Sequence, residues 1–163
     1  MASPRDPFLT LSPEEIQSQC RFEFHKASGH GGQKINKTSS AVRLVHEPTG
    51  LTAVSSESRS QSVNRRIACG KLRKLAVLSF REPAGSAVPS SSVPSLSNPG
   101  AYLPWLALIL DYVRENLPVP GFSRSAVRRI LRRDPEVWRY LSERKEKEYA
   151  SFFARSAAGE EEA

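Results

Sequence analysis

From Glu82 to Asp111 no charged side chain intervenes, and the first part of that stretch, 83–100, consists largely of Ser, Pro and Gly. Proline lacks the amide that a helix or sheet ladder needs, and so little apolar volume cannot offset the entropy of ordering the segment. It is therefore expected to act as a flexible linker. It divides the chain into 1–82 and 101–155, followed by a small, disordered acidic tail over 156–163. A total of 163 residues leaves room for one compact domain and an appendage. Hydrophobic residues at 39% and charged ones at 25% are near the average for folded chains, which excludes wholesale disorder. The longest apolar run, Ala101 to Leu110, contains Pro104 and stops far short of the roughly 20 residues that cross a bilayer. No membrane association is expected. The opening MASPRDPF has no apolar stretch of the secretory kind, so a cytoplasmic location is expected. Cys20 and Cys69 lack the spacing of a metal or redox motif and read as reduced thiols in packed positions. Neither a metal nor a cofactor is expected.

The formal net charge is +7, and it is unevenly spread. Residues 1–20 carry −2 and 101–163 carry +1, whereas 21–83 hold twelve basic and four acidic side chains, giving +8. One sign of charge concentrated on one segment suits a polyanion such as nucleic acid. A merely soluble basic surface is the competing reading.

Local patterns supply the elements. Ser12-Pro13-Glu14-Glu15 opens a short helix through Ser18: Ser12 accepts from the first amides, Pro13 has no amide to orphan, and Glu15 completes a capping box. Cys20 to His25 alternates apolar and polar side chains, the period of a strand with one buried face. Ala41 to His46 and Leu51 to Ser55 read as two more strands, joined by Glu47-Pro48-Thr49-Gly50, where proline presets a turn and glycine takes a positive φ. From Ser60 a helix is predicted with Val63, Ile67, Leu72 and Leu75 inward and Arg65, Arg66, Arg73 and Lys74 outward. Gly70 weakens that helix by about 1 kcal/mol relative to Ala. Beyond the linker, 103–116, 123–133 and 136–153 read as three helices of a small bundle, the last placing Trp138, Leu141, Tyr149 and Phe152 near one face. The fold class is α+β: a small mixed or antiparallel sheet with packed helices and a protruding loop, then the linker and a small helical region.

Gly29-His30-Gly31-Gly32-Gln33 follows the first strand. It has neither phosphate-loop spacing nor a helical pattern directly after it, so it is not a nucleotide site. Three glycines in four positions mean a backbone that approaches another surface closely. Lys26, Ser28, Lys34, Asn36, Lys37 and Thr38 surround the loop, a mixture suited to phosphate and 2′-hydroxyl contacts. The stretch 26–50, KASGHGGQKINKTSSAVRLVHEPTG, closely resembles the catalytic domain of bacterial-type (class I) peptide chain release factors. Arg59-Ser60-Gln61, with Asn64 close behind, matches the family's next block, and the resemblance extends over about 12–82. Lys26 departs from the pattern, since the family more often has Arg there.

The resemblance implies hydrolysis of the ester joining a nascent peptide to tRNA, in the peptidyl transferase centre of the large ribosomal subunit. It implies that the backbone amide of Gln33 stabilises the transition-state oxyanion, that the Gln33 side chain excludes nucleophiles other than water, and that Gly31 and Gly32 let the backbone enter the RNA-walled cavity. Lys26, Ser28, Gly29, Lys34, Asn36, Lys37, Arg43, Arg59, Gln61, Arg65 and Arg66 are the candidate RNA contacts, with loop support as the alternative for the last five. His30 occupies a position where the family varies; His25 and His46 read as packing or hydrogen-bonded groups. A methyltransferase acting on Gln33 is a candidate partner beside large-subunit rRNA and peptidyl-tRNA, and a monomer is expected. The short lead before the first strand resembles codon-independent ribosome-rescue members, although these commonly end in a basic flexible tail, unlike Gly159-Glu160-Glu161-Glu162-Ala163. Arg124, Arg128, Arg129, Arg132 and Arg133 are the candidate substitute anchor on RNA; Trp105, Leu106 and Ile109 are the alternative contact, with a partner protein. The competing functions are a non-catalytic ribosome- or RNA-binding module and a release factor that needs a partner for recognition.

Overall fold

The computed structural model describes residues 4–25, 40–85, 87–144 and 149–153. They form two units, Met1–Arg81 and Glu82–Ala163.

The first unit runs α1 (Asp6–Thr10), α2 (Pro13–Ser18), β1 (Cys20–His25), β2 (Ala41–His46), β3 (Thr52–Ser55) and α3 (Gln61–Ser79). The strands lie in the order β1-β2-β3, both pairs antiparallel. Register places Phe22 opposite Leu44 and Leu44 opposite Ala53, so one face gathers these side chains while Glu23, Arg43 and Val54 take the other. The first face packs against α3 through Ala68, Cys69, Leu72 and Ala76, with Phe8 and Ile16 from α1 and α2 in the same core.

The expected capping box is present: the Ser12 amide donates to Glu15 Oε2 at 2.7 Å and the Glu15 amide to Ser12 Oγ at 3.2 Å. The Ser12 amide, then the Ser12 hydroxyl, holds the Glu15 carboxyl below its ordinary range. Both strands of the hairpin also form, and Gly50 in their turn has φ +70°. Two features differ from the sequence expectation. Helix α1 is an addition, with Phe8 fully buried and its ring 4.7 Å from that of His46. The inward face of α3 is Asn64, Ala68, Leu72 and Ala76, whereas Val63, Ile67 and Leu75 are only half-buried. Alanine brings the helix close to the sheet, and the bulkier residues flank the contact.

Buried His46 places Nδ1 2.8 Å from Thr49 Oγ1 and Nε2 3.0 Å from Gln19 Oε1. A carbonyl oxygen accepts, so Nε2 carries the proton and Nδ1 accepts from the Thr49 hydroxyl, a neutral imidazole. Burial lowers its pKa. Both cysteines are free thiols, and burial pushes Cys20 up to about 11.

The second unit contains α4 (Pro99–Arg114), α5 (Arg124–Arg132), α6 (Pro135–Glu143) and α7 (Ala150–Phe153). Its core is the apolar run of the sequence: Leu103, Leu106, Ile109 and Leu110 of α4 are buried, with Val127, Leu131, Val137 and Leu141 from α5 and α6. The single helix expected over 136–153 is instead α6 and the short α7, and Val137 fills the core while Trp138 is half-buried. The described part of 83–98 forms neither helix nor strand. It is fastened to α4 where Trp105 Nε1 donates to the Ser90 carbonyl at 3.0 Å and the Ala84 amide to Glu115 Oε1 at 3.1 Å. None of the described helices is long and apolar enough to cross a membrane.

Gly70 is exposed, and a Cβ there meets nothing within 4 Å. Gly70→Ala is expected to stabilise the first unit by about 1 kcal/mol in urea denaturation, and Leu72→Ala to destabilise it by about 3 kcal/mol. Because the folded His46 imidazole titrates below its ordinary value, the unfolded chain binds its proton first as pH falls. The His46 contribution is therefore intact above about pH 6.5 and lost as pH drops through the folded pKa. His46→Gln should flatten that decline in denaturation midpoint.

Candidate functional site

Strand β1 leads into the glycine-rich stretch and β2 leads out of it. His25 and Ala41 are register partners, so the two ends of the 26–39 connection belong to neighbouring antiparallel strands at one end of the sheet. Lys26, Ser28, Gly29, His30, Gly31, Gly32, Gln33, Lys34, Asn36 and Lys37 all lie within that connection, outside the described residues.

What holds the exit of this connection is Asn64 of α3, which is 0% exposed. Its Nδ2 donates to the carbonyls of Ser40 and Ser58, each at 2.7 Å. Its Oδ1 accepts from the Ser58 amide at 2.9 Å and the Ser55 hydroxyl at 3.3 Å. Both donors and both acceptor positions of the amide are thereby used. The bonds join the exit of the 26–39 connection, the end of β3 and the lead into α3. Sequence matching draws attention to Asn64 only as part of a block; its partner at Ser40 is 24 positions away and has no signature in local periodicity.

The described RNA-contact candidates divide between two places. Arg59, Gln61, Arg65 and Arg66 sit at the start of α3, whose N-cap Ser60 accepts from the Val63 amide at 3.4 Å. Arg59 and Arg66 are exposed. Arg65 lies over the aromatic pair of β1, its guanidinium carbon 5.0 Å from the Phe22 ring and 5.1 Å from the Phe24 ring. Arg43 is instead on the outer face of the sheet, where Glu23 pairs with it at 3.7 Å and with Arg21 at 3.0 Å. These exposed pairs contribute little stability.

The five arginines of the second unit also separate. Arg124 donates to the Ser151 carbonyl at 2.7 Å and to Asn116 Oδ1 at 2.8 Å. Arg128 donates to the Phe152 carbonyl and lies over the Phe152 ring; burial, then the neighbouring Arg124 and Arg132 charges, lower its pKa. Arg132 stacks 4.9 Å from the Trp138 ring centre. Arg129 and Arg133 are exposed and make no side-chain hydrogen bond or ion pair among the described residues. Of the alternative contact set, Trp105, Leu106 and Ile109 are buried, so they serve the core of this unit.

Among the described residues no group of His, Cys, Asp and Glu is placed to hold a metal ion. A cavity of about 160 Å³ lies in the second unit between Val113, Leu117, Phe122, Val127 and Phe152, smaller than the clefts that hold nucleotide-sized ligands.

Asn64→Leu leaves the Ser40 and Ser58 carbonyls and the Ser58 amide without their partner. The expected cost is about 3 kcal/mol in unfolding free energy, with faster amide exchange at Ser58 and at residues just after Ser40; a neutral result in both measurements would contradict the assigned bonds.

The RF-1 domain family matches residues 12–85, the segment that contains the sheet, Asn64 and the arginine-bearing end of α3. Peptide chain release factor 2 of Paramagnetospirillum magneticum is 47% identical over 82 residues, covering 48% of this chain and 22% of that protein. Peptide chain release factor 1 of Leptothrix cholodnii is 48% identical over 73 residues, covering 45% and 18% respectively. The mitochondrial peptide chain release factor 1-like protein of Rattus norvegicus is 41% identical over 73 residues, with the same shares of 45% and 18%. The chain thus spans about a fifth of the length of these relatives. Over residues 12–85, where the GGQ tripeptide lies between two paired strands, the chain matches the RF-1 domain and is similar to peptide chain release factors.

Proposed function

We propose that the protein hydrolyses the peptidyl-tRNA ester on the ribosome and does so without reading a codon. The observation that carries the hydrolytic part is the GGQ tripeptide, Gly31 to Gln33, within an RF-1 domain, in a connection between register-paired strands whose exit at Ser40 is bonded to Asn64. Ester hydrolysis needs water to attack a carbonyl, and negative charge develops on the carbonyl oxygen and on the departing ribose oxygen. A fixed backbone amide at that point lowers the barrier. In this reading the Gln33 amide is the donor, its side chain admits water alone, and Gly31 and Gly32 remove the Cβ atoms that would collide with the cavity wall. Large-subunit rRNA supplies the rest of the site, with Lys26, Ser28, Gly29, Lys34, Asn36 and Lys37 as its contacts around the loop. Arg43, Arg59, Gln61, Arg65 and Arg66 supplement them or support the loop. A methyltransferase acting on Gln33 is a proposed partner, and the protein is proposed to act as a monomer in the compartment that holds the ribosomes.

The codon-independent part is supported by the unit C-terminal to the GGQ domain. This second unit has its own helical core and presents Arg129 and Arg133 as exposed cations with no side-chain partner among the described residues, a means of holding RNA that is blind to sequence. Arg124, Arg128 and Arg132 then help to build the anchor by fixing α5 against Phe152 and Trp138. A non-catalytic docking module would have no use for the GGQ tripeptide, and a partner-dependent release factor would be inactive alone.

The experiment is peptide release from ribosomes stalled with an empty decoding site. Purified protein should release the peptide alone and equally well with a sense codon, a stop codon or no codon in place, and Gly32→Ala should slow release about 10²-fold. Binding without release supports the docking module, and a strict need for a second protein supports the partner-dependent factor. Replacing Arg129 and Arg133 together by Gln should reduce the dependence of log affinity on log salt by up to ~0.7 per lost phosphate contact; an unchanged slope would remove the anchor.

A further inference from the structure

We infer that Phe24 and Arg65 form a ledge on which an unpaired RNA base stacks, beside the entry to the GGQ connection. Phe24 is the penultimate residue of β1, and it is 41% exposed although it lies on the sheet face that α3 covers. It is not an isolated apolar side chain. Its ring is stacked with half-buried Phe22, centres 6.4 Å apart and planes 12° apart, and the Arg65 guanidinium lies about equally close to both rings, at 5.0 and 5.1 Å. Arg65 Nε is buried without a hydrogen-bond acceptor among the described residues, so the rings, rather than an ion pair, hold the guanidinium in place.

The chemistry of the ledge selects its occupant. A flat cation beside a fixed ring offers two π-faces that a nucleobase can cover, while every base has such a face whatever its sequence. Arg59 and Arg66, exposed and without ion-pair partners among the described residues, stand at the same end of α3 and suit the flanking phosphates. The surrounding segment 21–83 carries +8. An acidic protein segment would satisfy the arginines but would gain nothing from the exposed Phe24 ring. This inference rests on the ribosomal reading above and adds to it a particular point of RNA contact that the loop residues do not provide.

The test is fluorescence titration of the full chain with a single-stranded RNA oligonucleotide containing 2-aminopurine, and with the same oligonucleotide made abasic at those positions. Wild-type protein should quench the fluorophore and bind the base-bearing RNA about tenfold more tightly than the abasic RNA. Phe24→Leu, which keeps apolar volume but removes the ring, should erase that preference without altering the salt dependence. Phe24→Trp should retain it. A preference unchanged in Phe24→Leu, or absent from the wild type, overturns the ledge. Peptide release measured in parallel separates the two readings: release without any base preference removes the ledge alone, whereas base stacking without release supports the ledge and removes the hydrolytic function.

Discussion

A single buried amide governs the functional end of the first unit. Asn64 is wholly enclosed, and an amide taken out of water is costly unless its hydrogen bonds are replaced. Here they are replaced by Ser40, Ser55 and Ser58, which belong to three different stretches of chain. Displacing any one of those stretches orphans several polar groups in a low-dielectric interior, so the stretches move together or not at all. The small residues along the same helical face, Ala68 and Ala76, bring α3 near enough to the sheet for a side chain as short as asparagine to reach. In the proposed reaction the loop presents one amide to the ester, and a rigid support at its exit serves that task.

The second unit relies on buried polar chemistry of a similar kind. Asp111 and Arg114, one helical turn apart on α4, lie 3.5 Å from each other, and Arg114 Nε donates to the Tyr149 hydroxyl at 3.0 Å. Asp134 caps α6 and also accepts from the Tyr102 hydroxyl at 3.1 Å. Burial, then the Asp134 charge, raises the pKa of that hydroxyl and keeps it a donor. These fixed partners join α4 to the residues flanking α6 and α7, while Arg124 and Arg128 bond carbonyls of α7. The five arginines of α5 and its C-cap therefore have two occupations, internal fastening and exposed charge.

Features set by short-range physics were legible in the amino-acid order. The alternation of Cys20 to His25, the Ser12–Glu15 box and the Gly50 turn each reproduce a local rule, and each is found where that rule places it. Helix α1 was hidden because Phe8, Leu9 and Leu11, set between prolines and charges, are too short an apolar group to show a helical period. The inward face of α3 was misplaced by one position because periodicity weights Val63 and Ile67 above alanine and treats Asn64 as polar surface, whereas close packing favours small side chains and the amide is fully satisfied. The division between α6 and α7 was equally invisible, since the aromatic residues at 138, 149 and 152 mimic one continuous face. For the candidate site, motif chemistry identified the loop, but only three-dimensional contacts identified its anchor at Asn64 and the cation on Phe24.

The central claim is that a backbone amide, rather than a side chain, does the electrostatic work of ester cleavage. The most direct measurement compares single-turnover peptide release by Gln33→Pro and Gln33→Ala on stalled ribosomes. Proline deletes the N–H and alanine keeps it. The predicted result is a loss of about 10² to 10³ in rate for Gln33→Pro, with Gln33→Ala still hydrolysing the ester but allowing added hydroxylamine to compete with water. Release by Gln33→Pro as fast as by the wild type, or an equal loss in both variants, would contradict it.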